Sequence, residues 1–395
     1  MSSTRHLFFE HCAQTSPMPL AIEINRAKGL HLFDVNGKSY MDLISGISVS
    51  NVGHCHPKVV AAVQKQAETF MHLMVYGEYI QSPQVKLAEK LASLLPENLS
   101  CTYFTNSGSE AIEGAIKLAR KYSQKSEIIS CHNSYHGSTL GALSIIGDDE
   151  YRSHFEPLLP NTKRIRHGSM EDLSLITHKT AAVVIEAIQA EAGILSASKE
   201  YWKALQQKCK ETQTLIVCDE IQTGFGRTGT MFGFQNVGLL PDIITIAKGF
   251  GGGMPIGAFI SSKEIMQTFS INPILGHMTT FGGHPVCCAA ALATIEVIEN
   301  EKLINDIPLK AEAFRKLIQH PSLIKDFRQE GLMVAIEFES FEINKKIIDL
   351  CLENGIITDW FLFNSKSMRI GPPLVITMEE IEEACSVINR VLKQL

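Results

Sequence analysis

The sequence lacks the features that mark membrane, secreted and nucleic-acid-binding proteins. Its 395 residues are 20% charged and 45% hydrophobic, which is too polar for a membrane-spanning chain. Its first residues contain no long apolar segment followed by a small-residue cleavage site, so we expect no secretory signal. A net charge of −6 disfavours nucleic acid as a partner and leaves small molecules open.

Disulfide and metal-binding patterns are also missing. Ten cysteines are scattered along the chain without a CxxC pair, and several lie in apolar runs, where free cysteine acts as a small core residue. A reduced, cytoplasmic compartment is therefore expected. His54 and His56 have no acidic or cysteine partner at ligand spacing, and Gly53 and Pro57 mark a turn there. No metal site is predicted.

Strand-like and helix-like stretches alternate from about residue 55 to 290, without low-complexity segments or internal repeats. The runs EIISC, AAVVIEA and LIVCD are separated by helical patterns such as KEYWKALQQKCKE. This alternation predicts an α/β fold with a mostly parallel sheet and helices on both faces. Residues 291–395 combine helices, a strand and the capping box Thr377-x-x-Glu380, which indicates a smaller α+β domain.

One lysine stands at the end of a buried run. Ile243–Ala247 is apolar and rich in β-branched residues, and Lys248 follows it directly. Such a run is most simply a strand of a parallel sheet, and ligands collect beyond the carboxyl ends of these strands. Desolvation would lower the pKa of Lys248 and make it a Schiff-base nucleophile. A solvated lysine that merely follows a strand is the alternative.

Two further segments complete a candidate cofactor site. The run Leu215–Cys218 brings Asp219 to the same kind of strand end. A lysine and an acid fit pyridoxal phosphate, which needs a lysine for its aldehyde and an acid to keep its ring nitrogen protonated. Ser107, Gly108 and Ser109 lie between a short strand and a helix, where free N–H groups favour a phosphate. Taken alone, helix capping by Ser107 is the alternative.

Seven motifs then make the sequence resemble the class III, pyridoxal-phosphate-dependent aminotransferases of fold type I. In chain order they are FTNSGSEAIEGAIKLAR, SYHGST, IEAIQAEAG, CDEIQTGFGRTG, AKGFGGGMPIGA, TTFGGHP and MRIGPPL. The resemblance covers nearly the whole chain and is nearest to the acetylornithine and ornithine branch. It implies a large cofactor-binding domain at 55–290, a small domain at 291–395, and an N-terminal segment, 1–54, packed with the small domain.

The resemblance also implies roles for single residues. Lys248 would form the Schiff base with the cofactor and later move a proton, Asp219 would pair with the ring nitrogen, and Gln222 would bond the phenolic oxygen. Gly108 and Ser109, beside Ser107, would hold the phosphate. The remaining cofactor contacts would be Tyr135 on the ring face, His136 beside it, Glu186 in the pocket wall and Thr280, which would reach the phosphate of the neighbouring subunit. A homodimer would then be the minimum active unit.

Two charged residues are implied to bind substrate. Arg369, in RIGPPL, would clamp the α-carboxylate of an amino or oxo acid in a bidentate contact. Glu191 would pair with Arg369 while a donor binds through its distal amine, and release it for 2-oxoglutarate. The alternatives are a surface arginine before a Pro-Pro turn and an acid that only caps the turn at Gly193.

The implied reaction moves the terminal amine of an ornithine- or acetylornithine-like donor to 2-oxoglutarate by ping-pong chemistry. Ser138 departs from the pattern, because that branch usually has an arginine there that grips the donor's far carboxylate. His284 likewise replaces the usual asparagine of GGNP. A putrescine-type diamine donor therefore stays open, as does decarboxylase or aminomutase chemistry on the same scaffold.

Overall fold

The structure, a computed structural model, describes residues 3–75 and 77–395 and has the predicted α/β fold. Within these residues the strands are β1 (Ile24–Lys28), β2 (His31–Asp34), β3 (Ser39–Asp42), β4 (Cys101–Thr105), β5 (Glu127–Cys131), β6 (Thr162–Ile165), β7 (Thr180–Glu186), β8 (Leu215–Asp219), β9 (Ile243–Ile246), β10 (Gly257–Ser261), β11 (Asp326–Glu330), β12 (Met333–Glu337), β13 (Ile356–Ile357), β14 (Asp359–Phe361) and β15 (Asn364–Ile370). The α-helices are α1 (Thr4–His11), α2 (Pro57–Thr69), α3 (Ser82–Leu94), α4 (Gly108–Ser123), α5 (Leu140–Ser144), α6 (Lys199–Thr212), α7 (Phe234–Val237), α8 (Lys263–Met266), α9 (Pro285–Asn300), α10 (Ile307–Leu317), α11 (Phe341–Glu353) and α12 (Met378–Leu392).

A seven-stranded sheet forms the centre of the molecule, in the order β4-β10-β9-β8-β7-β5-β6. Every neighbouring pair from β9 to β6 is parallel, and β10 runs antiparallel to both β9 and β4. Glu186 at the end of β7 lies opposite Asp219 at the end of β8, and Asp219 lies opposite Thr245 on β9. This register gathers the carboxyl ends of the three strands at one edge.

Side chains of the central strands alternate between two buried cores. Ile129 and Val183 belong to a core shared with α6, whereas Ile128 and Val184 belong to a core shared with α4. All four side chains are fully buried. Because both faces are covered, the strands are continuous apolar runs rather than alternating ones.

Two smaller sheets flank the central one. The order of the first is β1-β2-β3-β13, so the N-terminal strands pair with a strand from the C-terminal part of the chain. The second has the order β11-β12-β15-β14 and is antiparallel throughout. The packing of residues 1–54 with the small domain and the domain boundaries after residues 54 and 290 stay predictions.

Two features are absent from residues 3–75 and 77–395. None of their helices has both the length and the apolar character needed to cross a bilayer. No three of their His, Cys, Asp and Glu side chains group in a way that could hold a metal ion.

Gly257, the first residue of β10, packs against the start of α4. A Cβ at this position would lie 2.3 Å from the backbone oxygen of Ser107, which accepts the first helical hydrogen bond, from Ala111 N at 3.1 Å. We expect Gly257→Ala to lower the free energy of unfolding by about 2 kcal/mol or more, because backbone atoms must shift. Thermal and urea unfolding measure this loss.

The matched control is Gly371→Ala, since a Cβ there meets nothing nearer than 3.8 Å. Its unfolding midpoints should stay close to those of the unsubstituted protein. Equal midpoints for the two variants would contradict the packing argument.

Candidate active site

A cavity of about 400 Å³ lies where the three strand ends meet the start of α4. It brings together most of the residues singled out in the sequence, from five separate segments. These are Ser107, Gly108, Ser109, Tyr135, His136, Glu186, Asp219, Gln222 and Lys248. Thr280 is exposed and lies outside this cavity of the single chain.

Lys248 follows β9 and opens a short 3₁₀ turn, Lys248–Gly251, with a left-handed φ of 51°. Burial lowers the pKa of Lys248 below its usual range, and the carboxylates nearby, Glu191 foremost, oppose this only in part. A lowered pKa increases the fraction of neutral amine near pH 7, which is the form that attacks a carbonyl.

Asp219 is buried and held in one orientation. Its Oδ2 lies 2.7 Å from Nδ1 of His136, and its Oδ1 accepts a hydrogen bond from Ile221 N at 2.9 Å. Glu186, opposite it on β7, accepts from Ala190 N at 3.2 Å. Burial, then the charge of Asp219, raises the pKa of Glu186 well above its usual range, which favours the protonated form of this side chain.

The start of α4 has the features of a phosphate site. Ser107 caps the helix by accepting from Glu110 N at 3.1 Å, so the capping predicted as an alternative is present. Capping occupies only that N–H, and no described backbone oxygen accepts from the N–H groups of Gly108 and Ser109. The turn is also closely packed, because a Cβ on Gly108 would lie 2.8 Å from Ile221. Two free N–H groups at a helix N-terminus suit an anion.

Arg369 and Glu191 form a buried ion pair beside the cavity. Nη1 and Nη2 of Arg369 donate to Oε1 and Oε2 of Glu191 at 2.8 and 3.0 Å, and only 7% and 5% of the two side chains are exposed. Burial alone would favour the neutral forms, but the pair keeps the pKa of Glu191 below and that of Arg369 above its usual range. Neither residue lines the cavity. Gln222 does, and its Nε2 donates to Glu191 Oε1 at 3.2 Å.

Other neighbours of the site were not predicted. Ser45–Ser48 forms a left-handed turn, with φ between 51° and 64°, that carries Val49 to the cavity wall. Only Gly46 in this turn is a residue that favours such angles. The segment Asp359–Phe363 contacts the Arg369–Glu191 pair, and its one sequence signal is its position just before MRIGPPL.

A partly desolvated lysine, a buried acid and an open helix N-terminus on one parallel sheet define the site of a pyridoxal-phosphate-dependent transferase. The lysine, the acid and the free N–H groups suit the aldehyde, ring nitrogen and phosphate of that cofactor. Residues 12–392 match the aminotransferase class-III family, and the chain belongs to this family. Pyridoxal phosphate is accordingly the cofactor, and the protein is a transaminase.

Named relatives agree with this placement. The acetylornithine aminotransferase of Methanocaldococcus jannaschii is 42% identical over 392 residues, covering 95% of this chain and 94% of that protein. The acetylornithine aminotransferase of Caldanaerobacter subterraneus is 38% identical over 387 residues, with 95% of each covered. Among solved structures, the ornithine aminotransferase of Toxoplasma gondii superposes with a TM-score of 0.91 at 29% identity, covering 100% of this chain and 96% of that one.

We expect pyridoxal phosphate followed by borohydride reduction to label Lys248 near neutral pH, because this lysine is desolvated and lines the cavity. Peptide mass mapping locates the label. Lys248→Ala should lose both the label and the visible absorbance of the bound cofactor.

Lys310 supplies a matched control. It is also a buried lysine whose pKa is lowered by burial, but its Nζ donates to Leu374 O at 2.7 Å and it lies outside the cavity. Lys310→Met should therefore keep the label. Labelling that persists in Lys248→Ala would contradict the assignment.

Proposed function

We propose that this transaminase takes the terminal amine of an ornithine- or acetylornithine-like donor and passes it to 2-oxoglutarate in two half-reactions. The observation that carries the proposal is the buried Arg369–Glu191 pair beside the cofactor cavity. The two parallel N–H groups of an arginine suit an α-carboxylate. When Glu191 occupies Arg369, a donor can instead enter the site with its ω-amine first.

Two residues, Lys248 and Asp219, would carry the chemistry. When bound, pyridoxal phosphate supplies an electron sink for the pair of electrons left on the substrate carbon. Lys248 would bind the cofactor's carbonyl carbon through Nζ and then move a proton at the substrate carbon. Asp219, oriented by His136 and Ile221 N, would hold a proton at the ring nitrogen.

The other cavity residues would position the cofactor. The N–H groups of Gly108 and Ser109, with the hydroxyls of Ser107 and Ser109, would hold the phosphate. Tyr135 would lie on the ring face, with its hydroxyl 3.0 Å from Ser138 Oγ. Gln222 has two N–H hydrogens, so it could bond Glu191 and the phenolic oxygen together. Glu186 would lie in the pocket wall, where burial raises its pKa above the usual range and so favours its neutral form.

Glu191 would act as an internal stand-in for a substrate carboxylate. Besides the two bonds from Arg369 it accepts from Gln222 and, at 3.1 Å, from Leu362 N. Because it accepts four hydrogen bonds, Glu191 would stay on the guanidinium of Arg369 and block it while the distal amine of the substrate reacts. An oxo acid would then displace it by offering Arg369 a second carboxylate in the same fork.

We expect Glu191→Gln to reduce the preference for ω-amine over α-amine donors by about 10-fold, because a neutral amide gives up Arg369 more readily to an α-carboxylate. Single-turnover half-reactions with ornithine and glutamate measure the ratio. Glu127→Gln is the control, since this buried glutamate pairs with Lys163 at 2.7 Å at the opposite end of the sheet. An unchanged ratio in Glu191→Gln would rule out the exchange.

We also propose that a second copy of the chain packs against the exposed apolar segments near Thr280. Exposed apolar side chains gather at residues 71–75, 77–85 and 271–281, whereas exposed apolar side chains on an ordinary surface are scattered singly. They include Met71, Tyr79, Ile80, Ile274, Met278 and Phe281. In such a homodimer Thr280 would reach the phosphate of the neighbouring site.

Light scattering should give about twice the chain mass of 43.7 kDa, and a cofactor-loaded monomer would contradict this arrangement.

A diamine donor such as putrescine is the second candidate, and Ser138 favours it. Ser138 is exposed beside Tyr135. Among the described residues that line the cavity, Lys248 is the only lysine or arginine. A donor with a far carboxylate would therefore need a charge partner from outside these residues.

Half-reactions with ornithine, N-acetylornithine and putrescine separate the two candidates. The main proposal predicts faster loss of the bound-cofactor absorbance with one of the carboxylated donors. Ser138→Arg should then raise kcat/KM for that donor by about 10-fold, because an arginine beside Tyr135 can pair with the donor's far carboxylate. A clear preference for putrescine would transfer the assignment to diamines.

A further inference from the structure

Five consecutive residues contact the Arg369–Glu191 pair, one contact each. Trp360 O accepts from Arg369 Nη2 at 2.9 Å, the ring of Phe361 lies 4.6 Å from the guanidinium carbon, and Asp359 Oδ1 lies 2.9 Å from Nε. The N–H groups of Leu362 and Phe363 donate to the side chain and backbone of Glu191, both at 3.1 Å. The segment thus holds the arginine with its first three residues and the acid with its last two.

The contacts to Arg369 do not depend on Glu191. Asp359 on β14 lies directly opposite Arg369 on β15, so the sheet register fixes the two side chains side by side. The Nε–H does not point along the 2.9 Å line to Asp359, and neither atom has a well-aligned hydrogen bond within the described residues. The contact is therefore chiefly an attraction between charges.

The charge count explains why a second acid matters. Arg369 is buried, and an isolated buried cation is strongly disfavoured. If Glu191 were the sole counter-ion, exchange would pass through such a state each time Glu191 left. Asp359 stays beside the guanidinium throughout, because it lies on the strand that pairs with that of Arg369.

We propose that Asp359 is a positioning residue that keeps Arg369 charge-balanced and in place while its fork passes from Glu191 to the carboxylate of the oxo acid. The inference rests on the proposed function, since it assumes that exchange. Asp359 repels Glu191 and an incoming carboxylate alike. It therefore governs how fast the fork changes partner more than which partner it prefers.

The test uses the cofactor-loaded protein and glutarate, a dicarboxylate that cannot undergo transamination. Stopped-flow fluorescence follows association, with Trp360, whose backbone oxygen accepts from Arg369, as the reporter. Asp359→Asn keeps the shape and removes the charge, and it should slow association by about 10-fold. The donor half-reaction with ornithine should change less than about 2-fold, because Arg369 stays closed in it.

Asp326→Asn is the matched control. Asp326 also contacts an arginine of the same small sheet, Arg328, at 2.5 Å, but on β11. The rate of glutarate association with Asp326→Asn should equal that of the unsubstituted protein. Loss of both half-reactions in Asp359→Asn, or no change in association, would overturn the positioning role.

A second background separates this inference from the proposed function. In Glu191→Gln, Arg369 no longer exchanges one carboxylate for another. Adding Asp359→Asn in this background should therefore not slow the association of glutarate further. Equal slowing in both backgrounds would mean that Asp359 has only a structural role. If Glu191→Gln by itself leaves glutarate association unchanged, the exchange and hence the proposed function fail.

The pH profile gives an independent readout. Burial, opposed by Arg369, raises the pKa of Asp359 to about 6, and the charged groups facing it are Arg369, Glu191 and Asp42. Below that pH the carboxyl is protonated, so the unsubstituted protein should come to resemble Asp359→Asn. The ratio of their association rates should therefore approach 1 as the pH falls from 7 to 5. A constant ratio would contradict the role of the charge.

Discussion

The structure depends on the way it balances charge around two cations, Lys248 and Arg369. Lys248 is held where desolvation lowers the pKa of its amine, and Arg369 is buried but kept charged by acids on two other segments. A buried guanidinium without partners would be costly, whereas one with two carboxylates can lose either and stay compensated. This surplus of negative charge makes an exchangeable carboxylate site physically reasonable.

The sheets of the fold supply these groups from distant parts of the chain. Register in the large sheet aligns Glu186 and Asp219 and brings Lys248 beside them, and register in the C-terminal sheet places Asp359 against Arg369. Glu191, in the segment after β7, reaches from the large sheet to the small one. Gln222 then connects that pair to the cofactor cavity. Hydrogen bonds through Gln222 and Glu191 therefore connect the cofactor cavity to the proposed substrate site at Arg369.

Much of this was predictable because strand ends and helix starts have local signatures. The runs before Asp219 and Lys248 and the turn at Ser107 predicted one cavity, and the motifs predicted the family. The left-handed turn at Ser45–Ser48 was not predictable, since three of its four residues disfavour positive φ. Asp359 was missed because pairing between antiparallel strands depends on register, and one residue of slip would put it on the other face.

A crystal structure of the cofactor-loaded protein with glutarate tests most directly whether Arg369 exchanges Glu191 for a carboxylate of its substrate. We predict that the fork of Arg369 binds a glutarate carboxylate, that Glu191 has turned away, and that Asp359 still lies beside Nε. Glutarate bound with the Arg369–Glu191 pair intact would contradict the account.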